Sequence, residues 1–144
     1  MKTPGVVYAL AMAVRALTQP GDSVLIQPPV YYPFYSVVRD NERKLVESEL
    51  IFRDGRYAID FADFEQKIVQ HRVKLFLLCS PHNPVGRVWT REELERIGHI
   101  CKEHGVFVAS DEIHCDVAFP EHPHTPFLTA NPDLAEQSVV CTAP

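Results

Sequence analysis

The sequence predicts a doubly wound α/β fold with a mainly parallel sheet. Helix-like and strand-like segments alternate along its 144 residues, and strands separated by helices of this length imply right-handed βαβ crossovers. Three strand-like runs, Lys74–Cys79, Val106–Ser110 and Ser138–Thr142, are almost continuously apolar. Such runs are typical of parallel strands that helices cover on both faces. The order of the strands within the sheet does not follow from the sequence.

The first half of the chain supplies a helix, a strand, a second helix and a second strand. Gly5–Leu17 has a helical apolar period, and Ser23–Gln27 is a short β-rich run that ends before two prolines. Tyr31–Asp40 is predicted to be helical, because a proline in the first turn of a helix is tolerated. Leu45–Leu50 alternates apolar and polar residues and indicates a half-exposed strand. Arg53–Arg56, which contains Asp-Gly, indicates a turn.

Two later helices have clear start signals. Asp60 can cap a helix whose apolar residues recur at helical spacing. Thr90 and Glu93 form the pattern of a capping box, and Gly105 supplies a stop for that helix. Between the second and third apolar runs, Phe119–Pro132 is rich in proline and is predicted to be an irregular surface loop.

Composition excludes several classes of protein. A net charge of −5 without a Lys/Arg block argues against a nucleic-acid or membrane surface as the partner. No apolar run approaches the roughly 18 residues of a membrane span. The four cysteines are widely spaced and include no Cys-x-x-Cys pair, which favours a reducing cytoplasm.

Several histidines and a cysteine lie close together in the second half of the sequence, but their spacing predicts no metal site. His114, Cys115, His122 and His124 match no structural zinc pattern. Proline-rich loops commonly carry surface histidines. Adjacent residues of an extended segment point to opposite faces, so His114 and Cys115 do not indicate a nucleophile pair either.

The most unusual segments follow the predicted strands, where open α/β sheets bind their ligands. Pro28–Phe34 is an aromatic cluster, Pro81–Gly86 presents Asn83, and Ser110–His114 presents Asp111. The start of the first helix offers free N–H groups to an anion. Together these features suit a planar, phosphorylated ring that contains nitrogen. Neither glycine-rich nucleotide motif is present, which excludes the common nucleotide-binding classes.

The motifs Pro81–Gly86 and Ser110–His114 resemble those of fold-type I pyridoxal-phosphate enzymes of the class I/II aminotransferase superfamily. With Val30–Phe34, Pro81–Trp89 and Asp111–Asp116, the resemblance is greatest to MalY/PatB-type cystathionine β-lyases, which are C–S lyases. It spans the whole chain. It implies that residues 1–144 are the central part of the cofactor-binding large domain, with the small domain absent from the sequence.

The resemblance assigns three side chains to the ring of pyridoxal phosphate. Asp111 would pair with the pyridinium nitrogen, Asn83 would bond the phenolic oxygen, and Tyr31 would stack on the ring face. Tyr32 or Tyr35 could take the place of Tyr31 in the stack. On its own, Asp111 would be an ordinary carboxylate at the end of a strand.

Three further cofactor-binding residues are implied. The backbone amides of Val6 and Val7 would hold the phosphate, although the side chains of both residues are equally well explained as helix core. His114 lies where many aminotransferases have a tyrosine near the phenolic oxygen, and histidine there fits the lyase branch better.

The sequence contains no match to the lysine that forms the family's Schiff base, so no catalytic residue is assigned. In the family that lysine follows a serine just after a strand, a position beyond Thr142. None of the lysines present occupies it: Lys2, Lys44, Lys67, Lys74 and Lys102. The lysine is both the covalent anchor and a proton carrier, so we expect the chain to be a fragment that is inactive alone.

The leading hypothesis is therefore a cytoplasmic, homodimeric lyase of amino-acid metabolism that cleaves sulfur-containing amino acids to thiol, pyruvate and ammonia. A transferase of the same fold, a true aminotransferase, is the first alternative. The second, from another class, is a non-catalytic α/β module that binds a phosphorylated ligand or a partner chain.

Overall fold

The computed structural model describes residues 2–143, which form a five-stranded parallel sheet and a separate hairpin. The strands are β1 Ser23–Ile26, β2 Lys44–Glu47, β3 Ile51–Arg53, β4 Arg56–Ala58, β5 Leu75–Cys79, β6 Phe107–Asp111 and β7 Ser138–Cys141. The helices are α1 Val6–Leu17, α2 Pro33–Arg39, α3 Phe61–His71, α4 Arg91–Glu103 and α5 Phe127–Ala130, with 3₁₀ turns at Cys115–Val117 and Pro132–Leu134. None of these helices is long and apolar enough to cross a membrane.

The sheet has the strand order β2-β1-β5-β6-β7, and every neighbouring pair is parallel. Helices α1 and α2 cover one face, where Leu10 and Phe34 pack in a core cluster with Ile26. Helices α3, α4 and α5 cover the other face, where Phe64 and Phe127 belong to a second cluster. The predicted doubly wound parallel fold is confirmed, because apolar strands β1 and β5 are buried beneath helices on both sides.

The two helix starts that the sequence predicted are present. The Asp60 carboxylate accepts hydrogen bonds from the backbone N–H groups of Ala62 and Asp63, each at 3.1 Å. The Thr90 hydroxyl accepts from the Glu93 N–H at 3.2 Å, and the Glu93 carboxylate accepts from the Thr90 N–H at 2.8 Å. Both caps satisfy amides that would otherwise have no partner.

The region between β2 and α3 differs from the prediction. Strand β2 ends at Glu47 rather than Leu50, and the predicted turn at 53–56 joins a two-stranded hairpin, β3–β4. Phe52 and Tyr57 face each other across this hairpin with ring centroids 4.9 Å apart. Cross-strand aromatic contact stabilises strands of only three residues, which are too short to show an apolar period in the sequence.

The prediction of an irregular surface loop over Phe119–Pro132 is wrong for the second half of that segment. Its residues from Phe127 form α5, and the Phe127 side chain is fully buried. The side chain of His124 is only 6% exposed, because it contacts the buried carboxylate of Glu112. His122 is exposed, as expected.

Candidate functional site

A cavity of about 300 Å³ opens at the carboxyl edge of the sheet. It is lined by all six residues that the sequence nominated and by two others: Val6, Val7, Tyr31, Asn83, Asp111 and His114, with Cys79 and Ile113. The structure thus brings together side chains from four separate segments of the chain.

The sheet register places Asp111 between the ends of two neighbouring strands at this edge. Asp111 is the last residue of β6 and pairs with Cys79 on one side and Cys141 on the other. Burial raises the pKa of the Cys79 thiol to about 12 and that of Cys141 to about 11, with the nearby Asp111 charge as a further cause. Both neighbours are therefore uncharged thiols near neutral pH.

Asp111 is a buried carboxylate, 4% exposed. Its Oδ1 accepts a hydrogen bond from the Ile113 N–H at 3.1 Å. Burial raises the pKa of Asp111, and the charge of Glu112 adds to that effect, while the Ile113 N–H and His114 oppose it. A carboxylate with so little compensation is suited to a cationic partner in the cavity.

Tyr31 and Asn83 are joined directly through their backbones. The Tyr31 N–H donates to the Asn83 carbonyl at 2.9 Å, and the Asn83 N–H donates to the Cys79 sulfur at 3.4 Å. Tyr31 is 41% exposed and lines the cavity, whereas Tyr32 and Tyr35 are not among its lining residues. Of Tyr31, Tyr32 and Tyr35, Tyr31 is therefore the one positioned to stack on a ring in the cavity.

The start of α1 contributes backbone N–H groups to the same cavity. Gly5 precedes the helix without a side-chain cap, and the Gly5 carbonyl accepts its bond from Ala9. The N–H groups of Val6 and Val7 precede the first helical hydrogen bond, so the helix offers them no acceptor. The Val6 side chain also packs against the core, as the helix-core interpretation of this residue expected.

His114 lines both the cavity and a larger groove of about 690 Å³ beside it. Asn83 is the other residue that the two spaces share. The rest of the groove is formed by the β3–β4 hairpin, the loop around Val85 and the segment 117–122. A ligand in the cavity would therefore have open space beyond Asn83 and His114.

The three histidines of residues 114–124 do not form a metal site with Cys115 in the described residues. His124 binds Glu112, and the Cys115 sulfur lies 3.8 Å from the Thr142 hydroxyl. Within residues 2–143, the one grouping with metal-ligand geometry is Glu65, Glu103 and His104 on the surface. Within that group His104 Nε2 lies 3.0 Å from Glu65 Oε1, an ordinary surface hydrogen bond, so we assign no metal site there.

His82 is a buried residue near the site that the sequence analysis missed. It is 2% exposed, and its Nε2 lies 3.1 Å from the Pro29 carbonyl. Its ring meets Trp89 edge-to-face at 5.4 Å, and the Trp89 indole N–H donates to the Cys79 carbonyl at 2.9 Å. Burial lowers the pKa of His82 to about 4. This neutral histidine ties the loop that carries Tyr31 to the loop that carries Asn83.

Glu112 and Cys79 were also missed, for different reasons. The role of Cys79 depends on its register opposite Asp111, which requires the strand order. Glu112 depends on a contact with His124 twelve residues later. The sequence did contain a signal for Glu112, since it is an acidic residue directly after an apolar strand and next to Asp111.

Comparison with known proteins shows the family of this chain. The family profile described as aminotransferase class I and II matches residues 2–142. Cystathionine beta-lyase PatB of Bacillus subtilis is 54% identical over 142 residues, which cover 99% of this chain and 37% of PatB. The crystal structure of cystalysin from Treponema denticola, which contains pyridoxal 5'-phosphate, superposes with a TM-score of 0.94 and 46% identity. The match covers 99% of this chain and 36% of cystalysin.

A pyridoxal-phosphate-bound C–S lyase from Staphylococcus hominis superposes with a TM-score of 0.93 at 39% identity, covering 96% of this chain and 36% of that one. The chain belongs to the class I and II aminotransferase family. It spans little more than a third of the length of these relatives.

Proposed function

We propose that this chain forms the pyridoxal-phosphate-binding part of a C–S β-lyase that acts on sulfur-containing amino acids. The observation that carries the proposal is the buried Asp111 carboxylate in a cavity shared with Tyr31, Asn83 and His114. The PatB, cystalysin and S. hominis relatives, two of them bound to pyridoxal phosphate, support the same ligand and reaction class.

The donor set fits pyridoxal phosphate group by group. The undercompensated Asp111 carboxylate suits a protonated ring nitrogen, and the partly exposed Tyr31 ring offers a flat surface. Asn83 offers an amide donor for the phenolic oxygen. The uncapped start of α1 suits a phosphate, because its first N–H groups and its dipole both favour an anion.

In the proposed mechanism the residues bind, orient and hold charge. Bound pyridoxal phosphate supplies an electron-accepting ring that stabilises negative charge developing on the substrate. Asp111 keeps the proton on the ring nitrogen, which preserves that capacity. Tyr31 excludes water from one ring face, and Asn83 fixes the rotation of the ring in its plane. His114, between cavity and groove, lies beside the space that remains for a substrate.

The reaction proposed for the whole protein is β-elimination from a cystathionine-like amino acid, giving thiol, pyruvate and ammonia. The lyase relatives favour this reaction over amino-group transfer, the activity named in the family description. No lysine lines the cavity within the described residues, so we propose that the chain alone does not turn over substrate.

A hybrid enzyme tests this function. Replacing the matched segment of Bacillus subtilis PatB by residues 2–142 of this chain should give a protein that releases pyruvate and thiol from cystathionine. The same hybrid with Asp111→Asn is the matched control and should lose most of that activity. A folded hybrid that instead transfers the amino group to a 2-oxoacid, or has neither activity, would contradict the lyase proposal.

We further propose that the whole protein is a cytoplasmic homodimer. Val7 and Tyr31 line the cavity, and with their chain neighbours Tyr8 and Tyr32 they are from 38% to 76% exposed. Such a patch favours association, and the four free cysteines suit a reducing compartment. Light scattering coupled to size exclusion should show a dimer or larger assembly, which Tyr32→Ser weakens. A monomer at all concentrations would contradict this proposal.

A further inference from the structure

Glu112 is a buried carboxylate on the opposite side of the sheet from the cofactor cavity. It is 3% exposed and accepts three hydrogen bonds, from the Ser110 hydroxyl at 3.0 Å, His124 Nε2 at 2.9 Å and the Phe127 N–H at 2.9 Å. Burial raises the pKa of Glu112, but these donors outweigh burial and leave that pKa below its ordinary value. The carboxylate is therefore charged and firmly held.

The backbone next to Glu112 is fixed on both sides. The Ser80 N–H donates to the Asp111 carbonyl at 2.9 Å, and the Glu112 N–H donates to the Cys141 carbonyl at 2.8 Å. Successive residues at a strand end point to opposite faces, so Asp111 faces the cavity while Glu112 faces the α5 side. The peptide that carries Asp111 is thus anchored between two neighbouring strands.

His124, twelve residues after Glu112, is the other partner in the side-chain contact with that carboxylate. Its side chain is 6% exposed, although Phe119, only five residues earlier, is 74% exposed. Its Nε2 must carry the proton that Glu112 accepts, and its Nδ1 is buried without a partner. The Glu112 contact is therefore what compensates the buried ring.

Residues 113–123 have few other long-range ties. Their backbone bonds are local: Cys115 to Glu112, Val117 to His114, and His122 to Phe119. The 3.8 Å approach of Cys115 to Thr142 is weak by hydrogen-bond criteria. Among the described residues, the contact of Glu112 with His124 thus closes the loop by joining its two ends.

We propose that Glu112 and His124 are positioning residues of the cofactor site, which close residues 113–123 into a fixed loop and thereby set the position of His114. The loop also forms the groove wall that includes Val117 and Phe119. The link to the cofactor rests on the proposed function, whereas the position of His114 can be measured without any ligand.

The first test is ligand-free. Hydrogen exchange of residues 113–123 should accelerate about tenfold or more in His124→Ala, since a hydrogen bond to a charged group is lost. His124→Gln should restore slow exchange, because its amide can donate to Glu112. His122→Ala, in the same loop but exposed, should match the wild type, and α3 should be unaffected in every variant.

The second readout is the imidazole of His114 in NMR spectra. Its signals should shift in His124→Ala and return in His124→Gln. Should His124→Ala fail to fold, Glu112→Gln, which keeps the side-chain size and removes its charge, replaces it with the same expected shift. Unchanged exchange and unchanged His114 signals in a folded variant would overturn the proposal.

Titration with pyridoxal phosphate separates this inference from the proposed function. If the wild type binds, His124→Ala should bind several-fold more weakly and His124→Gln close to the wild type. Equal affinities alongside faster loop exchange would overturn the positioning role. If the wild type does not bind, the proposed function fails, and the His114 signals alone decide whether the loop closure is correct.

Discussion

Asp111 is the residue on which the proposed site depends, because it is a buried acid without a full complement of hydrogen-bond donors. Burial raises its pKa, so the unfolded chain ionises first as pH rises from the usual value for aspartate. The folded, ligand-free protein therefore loses stability as pH rises through the folded pKa, and at neutral pH the full cost remains. Such a cost is typical of a group that is held for a ligand.

Asp111→Asn should consequently separate binding from stability. We expect affinity for pyridoxal phosphate to fall by about 10- to 100-fold, because a charge-assisted bond to the ring nitrogen is lost. The melting temperature of the ligand-free protein should rise, because Asn retains the bond from the Ile113 N–H without the buried charge. Fluorescence titration and thermal denaturation provide the two measurements.

Asp133→Asn is the matched control, since Asp133 is exposed and pairs with Lys102 on the surface. It should leave both quantities unchanged. Unaltered affinity in Asp111→Asn would show that the ring nitrogen lies elsewhere.

Because His82 is buried, we expect the free energy of unfolding to depend on pH at mildly acid pH. Its pKa is lowered to about 4 by burial, so between its ordinary value and pH 4 the unfolded chain takes up a proton that the folded chain does not. Stability should be unaffected above that window and fall within it, by about 3 kcal/mol in total. In His82→Gln the free energy of unfolding should change less over the same window.

Urea denaturation of the wild type and His82→Gln at a series of pH values measures this difference. His99→Gln is the control, because the His99 side chain is 78% exposed. Parallel stability curves for the wild type and His82→Gln would contradict the buried, neutral state of His82.

At the scale of single residues, sequence reasoning found the side chains that carry recognisable motifs and missed those defined by burial. Asp111, Asn83 and Tyr31 follow strands within distinctive segments. His82 lies inside one of those segments, but its function depends on a contact with Pro29, 53 residues earlier. Neither spacing nor composition reports such a contact.

At the scale of elements, α4 is locked against the segment that follows α5. Asn131 Nδ2 donates to the Leu94 carbonyl at 3.0 Å, and a Cβ added at Gly98 would lie 1.9 Å from Asn131 Oδ1. Gly98 is therefore required by close approach rather than by its backbone conformation.

Gly98→Ala should destabilise the protein by about 1–3 kcal/mol despite the better helix propensity of alanine, because the Asn131 side chain occupies the space that the methyl group would need. The free energy of unfolding from urea denaturation measures this effect. Gly98→Ala combined with Asn131→Ala should cost less than the sum of the single variants. Full additivity would show that Asn131 moves aside without cost.

Helices with caps were predicted well, and the hairpin and α5 were not. The Thr90–Glu93 box is a local interaction that its own residues specify. The β3–β4 hairpin and α5 are short, and they form because Tyr57 and Phe127 pack against the same core cluster. Tertiary contacts of this kind override weak local preferences.

At the scale of the whole molecule, the parallel fold followed from the sequence, but the strand order did not. The order β2-β1-β5-β6-β7 places the ends of β1, β5 and β6 side by side, and the cavity exists because of that neighbourhood. Apolar runs identify buried strands, whereas their order depends on how the crossovers pack.

The distribution of lysines gives a further prediction for the whole chain. Lys74 precedes β5, at the opposite edge of the sheet from the cavity, and Lys102 lies on α4. Borohydride treatment with pyridoxal phosphate, followed by peptide mapping, should therefore yield no single stoichiometric lysine adduct. One uniquely modified lysine would contradict the proposal that the chain alone cannot anchor the cofactor covalently.

The central claim is that Asp111 holds the protonated ring nitrogen of pyridoxal phosphate in the cavity at the carboxyl edge. The direct measurement is the ¹⁵N NMR shift of ring-labelled pyridoxal phosphate bound to the chain, compared with Asp111→Asn. We predict a protonated nitrogen in the wild type above the pH at which the free cofactor loses that proton, and an unprotonated one in the variant. A nitrogen in the same state in both proteins, or no bound signal in the wild type, would contradict the account.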